Sequence, residues 1–68
     1  MEPNIQAGQV WKSLYGAAHI AITRIDGPRI RLATVTIEDD AVHSYGSERC
    51  ATRGQLVKAY RLTHLTTA

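Results

Sequence analysis

The sequence predicts a small, mostly-β domain: about five bent antiparallel strands closing into a barrel, with one short helical turn near the C-terminus. Three observations carry this. Two adjacent runs, Ala18–Ile25 and Arg29–Ile37, are rich in β-branched residues, which suit a pleated, half-buried surface. Asp26-Gly27-Pro28 separates them with residues that favour turns and end central strands. The apolar positions of the second run also change side partway along. Ile30 and Leu32 share one face, Val35 and Ile37 the other. Strict alternation cannot keep all four inside one flat sheet, so a bulge or sharp bend is expected near Ala33-Thr34. Strongly bent strands are what a small barrel needs.

The elements follow in order. Met1–Ala7 is a polar lead-in, expected to be partly disordered. Gly8-Gln9-Val10-Trp11 opens a short strand reaching about Leu14, with Val10 facing one way and Trp11 the other. Gly16 breaks it before the long hairpin. In the next strand Ile20 and Ile22 share a face, opposite His19, Ala21 and Thr23. Pro28 restricts Gly27, so a turn over Asp26–Arg29 is expected rather than a loop of Asp26-Gly27 alone. Glu38-Asp39-Asp40 reads as a solvated loop. Ala41–Tyr45 is a short strand stopped by Gly46-Ser47, and Arg49–Thr52 a further one.

Thr52-Arg53-Gly54-Gln55 has capping-box spacing, Thr at the cap and Gln three on. Leu56, Val57 and Tyr60 then fit a helical turn over about Arg53–Ala59, kept short by Gly54. Tyr60-Arg61-Leu62 closes the sheet, and Thr63–Ala68 reads as a frayed tail. The chain is thus one domain over Gly8–Leu62. Its expected core is Val10, Ile20, Ile22, Ile30, Leu32, Val35, Leu56 and Leu62.

A chain of 68 residues lies near the lower size limit for folding without a staple. Cys50 is the only cysteine, so no intramolecular disulfide can form. A lone cysteine fits a reducing compartment. Met-Glu-Pro-Asn lacks the basic start and apolar run of a signal peptide, and no apolar stretch reaches a membrane span. The expectation is a soluble, cytoplasmic protein.

The net charge is +2, an ordinary solubility charge for a small domain. Its distribution says more. Glu38, Asp39 and Asp40 form one acidic knot. Arg24, Arg29 and Arg31 flank the central turn, and Arg49, Arg53, Lys58 and Arg61 follow with no acid after them. Arg predominates over Lys, and Arg is the better residue for planar recognition of phosphate or carboxylate.

Reactive constellations are not found. His19, His43 and His64 do not lie at zinc-ligand spacing from one another or beside Cys50. Cys50 reads as a small core residue rather than a nucleophile. The acidic knot lacks the spaced oxygen ligands and glycine of a calcium loop. Gly46 and Gly54 are isolated, so no phosphate-cradling loop is present. The sequence therefore predicts no enzyme, no cofactor and no metal.

Gly8-Gln9-Val10-Trp11, then Ile20, Ile22, Ile25, Asp26 and Gly27, then Leu56, Tyr60, Arg61 and Leu62 together resemble small SH3-like β-barrel proteins. These have a KOW-type or Tudor-type layout and are common in actinobacteria and their phages. The resemblance spans about Gly8 to Leu62 and rests mostly on packing and turn residues. It implies a fold and a phage or mobile-element setting, with no settled activity. Such proteins usually carry a short basic strand before the Leu-to-Tyr segment. Here that stretch is Ser47-Glu48-Arg49-Cys50-Ala51-Thr52-Arg53, which is less basic.

Two binding classes follow. In the first, the module binds a protein, a second copy included, through exposed strand edges, with Trp11, Tyr15 and Tyr45 as the natural aromatic anchors if exposed; the sequence leaves Trp11 open between core plug and anchor. In the second, Arg24, Arg29, Arg31, Arg53, Lys58 and Arg61 contact nucleic-acid phosphates, with Tyr15 or Tyr45 stacking on bases. The dilute positive charge and the absence of Phe favour the protein partner.

Overall fold

Tight turns set the strand pairing. The computed structural model describes residues 4–67. In chain order the elements are β1 (Gln9–Ser13), β2 (His19–Asp26), β3 (Arg29–Glu38), β4 (Ala41–Thr52), α1 (Arg53–Ala59) and β5 (Tyr60–Thr66). Asp26 pairs with Arg29 across a Gly27-Pro28 loop in which Gly27 has φ +62°. This is the turn over Asp26–Arg29 that the sequence predicts. Glycine supplies the left-handed position at no steric cost. The second turn uses no glycine. Glu38 pairs with Ala41, and Asp39 and Asp40 between them have φ 53° and 62°. Two consecutive left-handed residues make a type I′ hairpin loop, whose twist matches the flanking strands. The acidic knot is thus a tight, strained turn.

Each neighbouring pair of strands is antiparallel, in the order β4-β3-β2-β1-β5. The expected closed barrel does not form: β4 and β5 occupy opposite ends of the sheet. Strand directions explain why. Ser13 pairs with Tyr60 and Glu38 with Ala41, so the starts of β4 and β5 lie at the same end of the sheet. Seven-residue α1 must then run diagonally, from the end of β4 to the start of β5. Its buried Leu56 packs on the face that carries Trp11, Ile20, Ile22, Ile30 and Leu32. On the opposite face, the far diagonal folds inwards. Val42 from the start of β4 and Leu65 from the end of β5 pack on Val10, Ala21 and Val35. Right-handed twist bends a sheet into this saddle.

The saddle resolves the change of face in β3. Ala33 pairs with Glu48 and Val35 with Tyr45, so β4 gains one residue there. The irregularity sits where the sequence predicts it, but the extra residue belongs to β4. At this point β3 keeps its alternation against β2, with Ile20 opposite Thr34 and His19 opposite Val35; the register shift in that pair lies further along, between Ile22 and Arg24 of β2. Ile30 and Leu32 therefore enter one core, Val35 the other.

Other boundaries differ from expectation. Gly46-Ser47 does not end a strand; β4 runs unbroken through it. A Cβ at Gly46 would lie 3.3 Å from the Thr34 carbonyl oxygen, so glycine suits this close crossing. β5 continues past Leu62 to Thr66, held by the Thr63 hydroxyl, which donates to the Val10 carbonyl at 2.7 Å. Ile5 from the expected lead-in is buried in the larger core. The first three residues of that lead-in, and Ala68 of the expected tail, lie outside the described residues. Of the expected core, Leu62 alone is only half-buried, and Trp11, Ala21 and Ala33 join it. Cys50 is exposed, contrary to its expected place in the core.

Candidate interaction surfaces

Trp11 is 1% exposed, so of the two readings the sequence leaves open it is the core plug and not the surface anchor. Alternation on β1 turns it towards the face that α1 covers. Its indole Nε1 donates to Gln9 Oε1 at 3.2 Å. Gln9 also accepts from the Gln6 amide at 2.9 Å and donates to the Asn4 carbonyl. One glutamine thus ties the N-terminal segment to the tryptophan.

Tyr15 and Tyr45 are exposed, as an anchor must be, but they lie apart. Tyr45 stands on β4 opposite Val35. Tyr15 sits in the β1–β2 loop beside Leu14, which is 46% exposed. That loop is closed by the Ser13 amide donating to the Ala18 carbonyl at 2.8 Å. The Leu14 amide reaches the Ala59 carbonyl at 2.9 Å and fixes the loop against the end of α1. Here an open groove of about 350 Å³ forms, lined by Trp11, Leu14, Val57, Tyr60, Arg61 and Leu62. Five of these six side chains are apolar or aromatic, and Arg61 supplies the polar rim.

The six candidate phosphate ligands do not act as one free set. Arg31 Nη1 lies 3.4 Å from Glu48 Oε1. The Thr23 hydroxyl bridges the same carboxylate and the Arg31 carbonyl, at 3.1 and 3.2 Å. Arg24 is 4.0 Å from Asp26. Arg29 pairs with Thr52 at the end of β4, next to Arg53. Lys58 and Arg61 belong to the opposite end, at the close of α1 and the start of β5.

Register exposes a set of polar residues that the sequence did not group. Lys12 stands opposite Arg61 on one side and opposite His19 on the other. Arg49 lies over the larger core, donating to Thr34 Oγ1 and to the Tyr60 hydroxyl, both at 3.0 Å. Only the strand pairing could have revealed these neighbours.

Of the sheet's two outer strands, β4 offers a backbone edge that is a poor template for pairing. β4 steps out of register with β3 between Ala33 and Val35 and again between Thr36 and Ile37. Bulges and charges such as Glu48 and Arg49 are the usual ways an edge is blunted. Among the described residues no cluster of three or more His, Cys, Asp or Glu side chains is placed to hold a metal ion, and no helix is long and apolar enough to cross a membrane. No protein-family model, curated protein or solved structure matches this chain.

Proposed function

We propose that this chain is a non-catalytic interaction module that engages a protein partner, a second copy included, through the groove between β1, α1 and β5. The observation that carries the reading is the groove's composition. The largely apolar lining includes exposed Leu14, which Tyr15 follows in the chain, and these are two of the three large apolar or aromatic side chains left in solvent among the described residues. Contiguous apolar surface at a concave site is the usual ground for protein association, and Tyr is a favoured anchor. The doubly bulged β4 edge supports strand addition less well. The strand order, with the helix inserted between β4 and β5, supports an SH3-like lineage for the module, as an opened sheet.

Nucleic-acid binding through Arg24, Arg29, Arg31, Arg53, Lys58 and Arg61 is the weaker reading. Arg24 and Arg31 already face carboxylates, and the remainder divide between two ends of the sheet. Sedimentation of the protein over a range of concentration and salt tests the preference. A self-association indifferent to salt and lost in Leu14→Glu supports the groove. A strict monomer whose affinity for nucleic acid vanishes when Arg24, Arg29 and Arg31 become Ala contradicts it.

A further inference from the structure

Arg61, Lys12, His19, Val35 and Tyr45 follow one another across all five strands, each directly opposite the next. Directly opposite residues share a face of the sheet and stand about 5 Å apart. The first three therefore place two cations and an imidazole in a line along β5, β1 and β2. Alternation turns Lys12 and His19 to the face opposite Trp11, while Arg61, on the outer strand β5, also rims the groove beside α1. Among the described residues, none of the three forms an ion pair. Like charges directly opposite cost stability, and an acid at position 12 would remove that cost. Val35, the fourth member, is buried in the smaller core, and beyond it Tyr45 ends the line with a 53% exposed ring.

From this register we infer a strip that receives the sugar–phosphate backbone of a single-stranded nucleic acid. Arg61 and Lys12 would meet successive phosphates, and His19 would add an N–H donor. Tyr45 would stack on a base. A positive track beside an exposed aromatic ring is the general arrangement for single-strand binding. The strip goes beyond the proposed protein groove. It differs from the six basic residues picked out in the sequence, sharing only Arg61 with them. It also uses a cation pair that does nothing for the fold.

Titration of the isotope-labelled protein with a short oligothymidylate, followed by amide NMR at several salt concentrations, tests the strip. Shifts are expected at Lys12, His19, Tyr45 and Arg61. Lys12→Gln should lower the slope of log affinity against log salt by about 0.7, the share of one phosphate contact to a single strand. Lys12→Glu should abolish binding while raising the melting temperature, a pairing of effects that loss of fold cannot produce. Leu14→Ala, which trims the groove without placing a carboxylate near Arg61, should leave oligonucleotide binding intact, which separates this site from the groove. Shifts centred on Arg24, Arg29 and Arg53 would overturn the inference. So would binding of inorganic phosphate or a phosphopeptide without the oligonucleotide, or no binding at low salt.

Discussion

Arg49 on β4 donates a 3.0 Å hydrogen bond to the hydroxyl of Tyr60 at the start of β5, joining two strands at opposite ends of the sheet. The contact crosses the diagonal that α1 also spans. The same guanidinium donates to Thr34 Oγ1 at 3.0 Å, so it links β3, β4 and β5. Tyr60 also lines the groove and packs against the larger core. Arg49 therefore braces one wall of the groove.

Tyr60→Phe keeps the ring and removes the acceptor. The loss should be about 0.5–1.5 kcal/mol, at the low end because the pair is exposed. A double-mutant cycle with Arg49→Ala in urea should give a coupling energy of at least about 0.5 kcal/mol. Strict additivity would mean that the two side chains do not meet in solution.

Both faces of the sheet are buried, so substitutions on either should be costly. Ile22→Ala should destabilise by about 2–5 kcal/mol, enough to unfold a domain of this size. Ala21→Leu inserts bulk into the smaller core, where Ala21 is fully buried, and should cost about 1–3 kcal/mol. An unchanged melting temperature for Ala21→Leu would leave that face open to solvent.

The β3–β4 turn holds two aspartates in the left-handed region. That conformation costs an L-residue roughly 1–2 kcal/mol, and glycine relieves it at the expense of a freer unfolded chain. Asp40→Gly should accordingly raise stability by up to about 1 kcal/mol, read from the denaturation midpoint. Asp40→Val, β-branched at positive φ, should lower it. The reverse order would exclude the type I′ turn.

Thr52 caps α1 through a reciprocal box, accepting from the Gln55 amide at 3.2 Å while Gln55 Oε1 accepts from the Thr52 amide at 3.0 Å. Thr52→Ala should cost about 1 kcal/mol. Because Val57 of α1 lines the groove, the same change should weaken association through Leu14. Equal stability of Thr52→Ala and the parent would remove the capping box from the helix's support.

Local chemistry was legible in the sequence, and long-range geometry was not. Thr52 and Gln55 announce α1, whose bounds match the expectation at both ends. Ile30, Leu32 and Val35 announce a conflict of faces, because alternation is a property of the strand itself. The solution, two cores on a saddle, depends on how Val42 and Leu65 meet across the sheet. Nothing local encodes that meeting. Leu14 gave no signal as a groove residue, since its neighbours come from α1 and β5. Lys12 and His19 are seven positions apart and become adjacent only through the β1–β2 register. Trp11 was placed on a strand but not on a side, because the roof over it is built from Leu56 and Ile5 at the two ends of the chain.

Opposed curling of the sheet's diagonals sets the groove beside α1 and the Lys12–His19 pair on different faces, with Arg61 at the edge between them. Methyl and aromatic NOE measurements on the intact protein test that geometry most directly. The saddle predicts contacts from Val42 and Leu65 to the Val10, Ala21 and Val35 cluster, and from Leu56 to the separate cluster around Trp11 and Ile22. Contacts from Val42 and Leu65 to Trp11 or Ile22 instead, with Val10 and Ala21 open to solvent, would describe a one-sided barrel and contradict it.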